Sequence, residues 1–122
     1  MDLLQVAKLI NSKINAIEEQ RKQLEGYALE KARTESEYDK AICITLIRLK
    51  AGNEMEIEGN KIQNPPVSIM EKLSKGFCWK SSLAKNTAEA NYKATVSNIN
   101  ALESQLNGYQ SINRYLKEVV TD

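Results

Sequence analysis

The six residues KGFCWK, Lys75 to Lys80, hold the chain's one Phe, its one Trp and one of its two Cys. Trp is enriched where proteins anchor partners, large aromatics bury much area, and flanking lysines attract anions. Two readings follow. Phe77 and Trp79 plug the end of a helical core where the chain turns back. Or they anchor a partner, with Lys75 and Lys80 selecting an acidic or phosphate-bearing one. Phe77, Trp79, Lys75 and Lys80 are therefore the candidate partner-binding residues. Both readings hold together if one ring is buried and the other exposed.

A second group lies near the far end, in NGYQSINRYLKEV. Tyr109, Arg114 and Tyr115 are close together there, and aromatics interleaved with Arg can stack on bases. Between Lys72 and Lys117 the basic residues also include Lys75, Lys80, Lys85 and Lys93, against only Glu89 and Glu103 inside that span. Lys93, Tyr109, Arg114 and Tyr115 form the alternative, nucleic-acid-binding set. The bland account of these charges is a solvated helix face.

Other chemistry is missing. The chain has no His, which removes the commonest general base and metal ligand. Cys43 and Cys78 stand far apart, in no zinc-type spacing, and are expected as buried thiols. The carboxylates Glu18, Glu19, Glu35, Glu37 and Asp39 alternate with Arg21, Lys22, Arg33 and Lys40, which suits surface pairing on a helix. The five glycines form no phosphate loop. No catalytic residue, no metal site and no cofactor is expected, and the chain reads as a non-enzyme.

The elements that must position these groups are long helices. Residues 2 to 50 contain no Pro and a single Gly, Gly26. One series of seven-residue repeats runs Leu3, Ile10, Ile17, Leu24, Lys31, Tyr38, Thr45. A second runs Ala7, Ile14, Arg21, Ala28, Glu35, Ile42, Leu49. Together they predict a coiled-coil-like seam with a polar lapse at Lys31–Glu35. A helix over 2–50 would extend about 70 Å. Gly26 and the polar lapse are where it could bend or break.

Ala51-Gly52-Asn53 is a helix stop. Alternation around Gly59-Asn60 predicts a short β-hairpin, Glu54–Glu58 with Lys61–Gln63, or else a loop. After Pro65 and Pro66, Val67–Leu73 can form two helical turns, and Ser74-Lys75-Gly76 a break. A second long helix runs from about 77 to 120. Its expected inner face is Leu83, Ala84, Ala88, Tyr92, Thr95, Ile99, Leu102, Leu106, Tyr109, Leu116 and Val120, with a polar lapse at Asn113. Ala84, Ala88, Ala90 and Ala94 are small enough for close helix approach.

The expected fold is all-α: a single elongated domain over 1–122, built as a long antiparallel helical hairpin. Its connector, 51–76, holds a short β-hairpin or loop and a short helix. Such a hairpin leaves the flanks Ile44, Leu46, Ile47 and Ile112 uncovered, so a homo-oligomer is expected, with a two-fold dimer favoured. No apolar run is long enough to span a membrane, and none has signal-peptide form. The expectation is a soluble, cytoplasmic protein with no membrane partner.

Residues 83–118 also carry Ala88-Glu89, Tyr92-Lys93, Ile99, Leu102, Leu106 and Gln110-Ser111-Ile112. This pattern resembles small helical early-region proteins of phages and prophages of Gram-positive bacteria. The resemblance implies an early phage gene product acting in the host cytoplasm, and it supplies no catalytic residues. The resulting expectation is a non-enzymatic, oligomeric binding protein. Its target would be a host or defence protein that it inhibits, or a small anionic signalling ligand for which it is a sponge. Two alternatives stay open: a nucleic-acid accessory protein of phage recombination or replication, and a structural coiled-coil subunit.

Overall fold

In the computed structural model, residues 1–121 are described, with side chains through Val119. Val120, expected on the inner face, lies outside the described side chains. Two long helices pack together, joined by a short β-hairpin and a short helix.

Helix α1 spans Leu3–Lys50. Asp2 and Gln5 start it as a reciprocal cap. The Gln5 amide donates to Asp2 Oδ1 at 2.8 Å, and the Asp2 amide donates to Gln5 Oε1 at 3.0 Å. The helix continues through Gly26 and through the polar lapse. Local pairs hold the lapse: Lys31 bonds Glu35 at 2.9 Å, and Arg33 bridges Glu30 and Glu37. Thr34, in the same stretch, is 2% exposed, and its hydroxyl donates to the Glu30 and Lys31 carbonyls.

The end of α1 is a Schellman motif, with the Asn53 amide on the Arg48 carbonyl and the Gly52 amide on the Leu49 carbonyl. Gly52 adopts φ +82°, the left-handed conformation that glycine takes without strain. Strands β1 (Met55–Ile57) and β2 (Asn60–Ile62) pair antiparallel, Met55 opposite Ile62 and Ile57 opposite Asn60. The turn is Glu58-Gly59, both at positive φ, one residue earlier than the expected Gly59-Asn60. A two-residue loop of type I′ takes two left-handed residues in succession, and this pair supplies them.

Helix α2 spans Val67–Phe77 and α3 spans Trp79–Thr121. The expected break at Ser74-Lys75-Gly76 is absent. α2 runs on through Ser74, which is buried and satisfies its hydroxyl on the Met70 carbonyl of the preceding turn. The break is one residue, Cys78. Its amide donates to the Ser74 carbonyl of α2, and its carbonyl accepts from the Ser82 amide of α3.

The helices contribute to two compact units. The first joins Met1–Ala28 to Asn91–Asp122. Its buried apolar side chains are Val6, Ile17 and Ile99, with Thr95 buried beside them and bonded to the Asn91 carbonyl. Of the two expected series, Leu3, Ile10, Ile17 and Leu24 turn inward, but Ala7, Ile14, Arg21 and Ala28 are exposed. Val6, Lys13, Gln20 and Tyr27 take the second series' place. Lys, Gln and Tyr can bury their stems while keeping polar tips at the edge, so polar letters hid the true seam. Arg21, outside it, reaches Glu103 on α3 at 3.0 Å.

The second unit is Leu29–Ala90. Leu49, Met70, Cys78 and Ala88 form its apolar interior, with Thr34, Thr45 and Ser74 buried among the polar residues. Tyr38 meets Lys85 and Thr45 meets Cys78, so the two long helices run antiparallel here. Of the expected α3 face, Leu83 and Ala84 are exposed and only Ala88 of the four alanines is buried. Lys85 takes the inward place, its Nζ 4.7 Å from the Tyr38 ring centroid.

Candidate ligand-binding cleft

Cys78 is the residue that sets the site. It is 7% exposed, and its Sγ lies 3.4 Å from Thr45 Oγ1. The two residues beside it are thereby fixed. Phe77 ends α2 half-buried, and Trp79 begins α3 half-exposed, at 50%. The two rings of the aromatic patch thus differ in exposure. Phe77 packs at the joint, and Trp79 offers an indole to the outside.

That indole lines a cleft of about 500 Å³. Its wall on α1 is Ala41, Ile44, Thr45 and Arg48; Met55 comes from β1, and Phe77 to Ser81 close the other side. Lys80 Nζ sits 5.6 Å from the Trp79 ring centroid, within cation–π range. Arg48 and Lys80 are the charged groups of the lining, and no carboxylate lines it. Neither cation is ion-paired among the described residues. The result is an apolar trough with one aromatic face and two positive charges.

Lys75 is not part of this arrangement. It lies on α2, paired with Glu71 at 3.8 Å, away from the cleft lining. Phe77 also walls a second, smaller cleft of about 250 Å³, with Ile57, Ile69, Lys72, Leu73 and Gly76.

The alternative set, in the other unit, is spread out. Lys93 precedes Tyr109 by sixteen residues, about 24 Å along a helix. Tyr109 is half-buried in the seam, whereas Tyr115 is 64% exposed. Among the described residues, Arg114 reaches Ser111, at 3.4 Å. These four residues do not converge on one surface feature.

Sequence reasoning missed Arg48, Ile44, Thr45 and Met55 as cleft residues. Arg48 stood out only as a charge breaking the run AICITLIRL. Antiparallel counting would have found it, because the end of α1 must lie against the start of α3. Cys43, expected buried, is exposed, because it lies off the inward-facing series.

Among the described residues no group of three His, Cys, Asp or Glu could hold a metal ion, and no helix is long and apolar enough to cross a membrane. Comparison of the chain with protein-family models, with curated proteins and with solved structures finds no match; what this cleft can take is set by its own residues.

Proposed function

We propose that this protein is a non-catalytic binding protein, and that the Trp79 cleft takes a small anionic ligand with a flat or apolar group beside its charge. The observation that carries this is the pairing of a half-exposed indole with two cations, Arg48 and Lys80, that have no carboxylate in the cleft. A flat group stacked on the indole gains about 1–3 kcal/mol, and each charge-assisted hydrogen bond adds about 1.5–3 kcal/mol. With the resemblance of residues 83–118 to phage and prophage proteins, the matching role is a sponge: a host signalling molecule is bound and held out of circulation. Nucleotide-like anions have the required chemistry.

Trp79 is the chain's one Trp, so its fluorescence reports the cleft directly. The test titrates the protein with nucleoside monophosphates, cyclic dinucleotides and the uncharged nucleosides. Saturable quenching by an anionic member, weakened about tenfold by Arg48→Ala or Lys80→Ala, supports the reading. Equal response to charged and uncharged members, or no loss in either variant, refutes it.

A further inference from the structure

We propose that the two clefts that share Phe77 are one site, and that its ligand is an anion carrying a linear apolar chain. The charge sits at Arg48 and Lys80, and the chain runs past Phe77 into the smaller cleft. This rests on the Trp79 cleft taking a small anion, and it narrows the ligand to an amphipathic one.

Two elements run along both clefts. Phe77, at the end of α2, lines each of them. On β1, Met55 lines the larger and Ile57 the smaller. Alternate residues of a strand point to the same face, and these two are half-buried while Glu56 between them is exposed. Such positions are only about 6.6 Å apart. The clefts are therefore neighbours along one strand face, with Phe77 as the wall they share.

Their chemistry differs. The larger, about 500 Å³, holds the indole and both cations. The smaller, about 250 Å³, is lined by Ile57, Ile69, Leu73 and Phe77, with Lys72 and Gly76. Lys72 brings the one polar side chain of that lining, so a polar group buried there would lack partners on most sides. An apolar chain meets no such cost. Ile69 is 43% exposed and leaves apolar area for a chain to cover. Polarity thus falls from one end of the pair to the other, as it does along a molecule with a charged head and an apolar tail.

Gly76 keeps the smaller cleft open. It lies inside α2 without a positive φ, and an added Cβ would meet nothing within 4 Å. Neither backbone conformation nor packing within the chain requires glycine there, and glycine weakens a helix relative to alanine. Without a side chain at this position, a ligand chain can lie against the backbone.

The experiment titrates methyl, butyl, hexyl and octyl phosphate, below micelle-forming concentrations, and follows Trp79 fluorescence. Affinity should rise with the chain, about fourfold for each methylene fully enclosed, and level off once the smaller cleft is full. Gly76→Leu fills that cleft and should remove the gain from the chain. Methyl phosphate, too short to reach it, should bind that variant as it binds wild type. Arg48→Ala should weaken every member alike and keep the gain. Octanol should bind far more weakly than octyl phosphate.

Equal affinity across the wild-type series overturns the proposal, and that result depends on no variant folding. An undiminished gain in Gly76→Leu overturns it, as does silence to every alkyl phosphate. In each of these outcomes, a nucleotide that still quenches Trp79 and loses affinity in Arg48→Ala leaves the anion-binding role of the cleft standing. Octanol binding as tightly as octyl phosphate, or no loss in Arg48→Ala, overturns both.

Discussion

Thr45 Oγ1 and Cys78 Sγ meet at 3.4 Å in the interior, across 33 residues of sequence. The contact ties the last turns of α1 to the joint between α2 and α3. It also places Arg48, one turn beyond Thr45, along the cleft that begins at Trp79.

Burial separates the two thiols. Cys43 should react at once with a thiol reagent, whereas Cys78 should react only as the protein unfolds. Timed labelling of the native chain reads this as one fast and one slow equivalent. Cys78→Ala should lower stability by about 1 kcal/mol, the scale of one buried methylene-sized group.

Two glycines should respond to alanine with opposite signs. At Gly52 the backbone is left-handed, and an added Cβ would stand 2.9 Å from Asn64 Oδ1. Gly52→Ala should cost about 1–3 kcal/mol. At Gly26, inside α1, an added Cβ meets nothing within 4 Å. Gly26→Ala should stabilise by about 0.5–1 kcal/mol. Urea midpoints of the two variants decide it.

Neighbouring apolar residues at the end of α1 should differ sharply. Leu49 is 1% exposed, and Leu49→Ala should cost about 2–5 kcal/mol. Ile47 is 62% exposed, and Ile47→Ala should change chain stability by less than about 0.5 kcal/mol. Thermal melts of both variants provide the comparison.

The polar stretch of α1 should weaken in acid. The hydrogen bond from the Arg33 guanidinium, helped by its charge, holds the Glu30 carboxyl below its ordinary value of 4.5. A folded-state pKa below the unfolded one adds stability above the unfolded value. That stability is lost as pH falls through the folded value. Glu30→Gln should therefore be less stable than wild type at neutral pH and equal to it once Glu30 is protonated. The pair is exposed, so the gap should also shrink in salt. Denaturation midpoints across pH 7 to 2 measure it.

The hairpin was readable because its punctuation is chemical. Gly52 can only end a helix there, and the seven-residue series through Leu3, Ile10, Ile17 and Leu24 marks one face without ambiguity. The second series misled because three-residue and four-residue steps both keep a helical face. Apolar letters favoured Ala7, Ile14 and Ala28, while packing chose Val6, Gln20 and Tyr27. Leu83 and Lys85 reversed their expected places for a similar reason. The Lys85 ammonium sits over the Tyr38 ring and so turns inward, yet its letter reads as surface.

The candidate cleft was half legible. Phe77, Trp79 and Lys80 stand together in sequence and again in space. Lys75 does not join them, because helix α2 continues through Gly76 and holds it beside Glu71. Arg48 and Met55 come from elements more than twenty residues away in sequence, and only the antiparallel pairing delivers them.

Cys78 is the whole of the connection between α2 and α3. With no spacer, the joint fixes the phase of α3 as a keyway fixes a wheel on its shaft. One residue inserted there would turn everything downstream by about 100°, since a turn takes 3.6 residues. Ala88 would leave the interior and its neighbours would replace it. A loop absorbs insertions, but this joint would pass any of them on in full. Its length is therefore as much a part of the structure as its side chain.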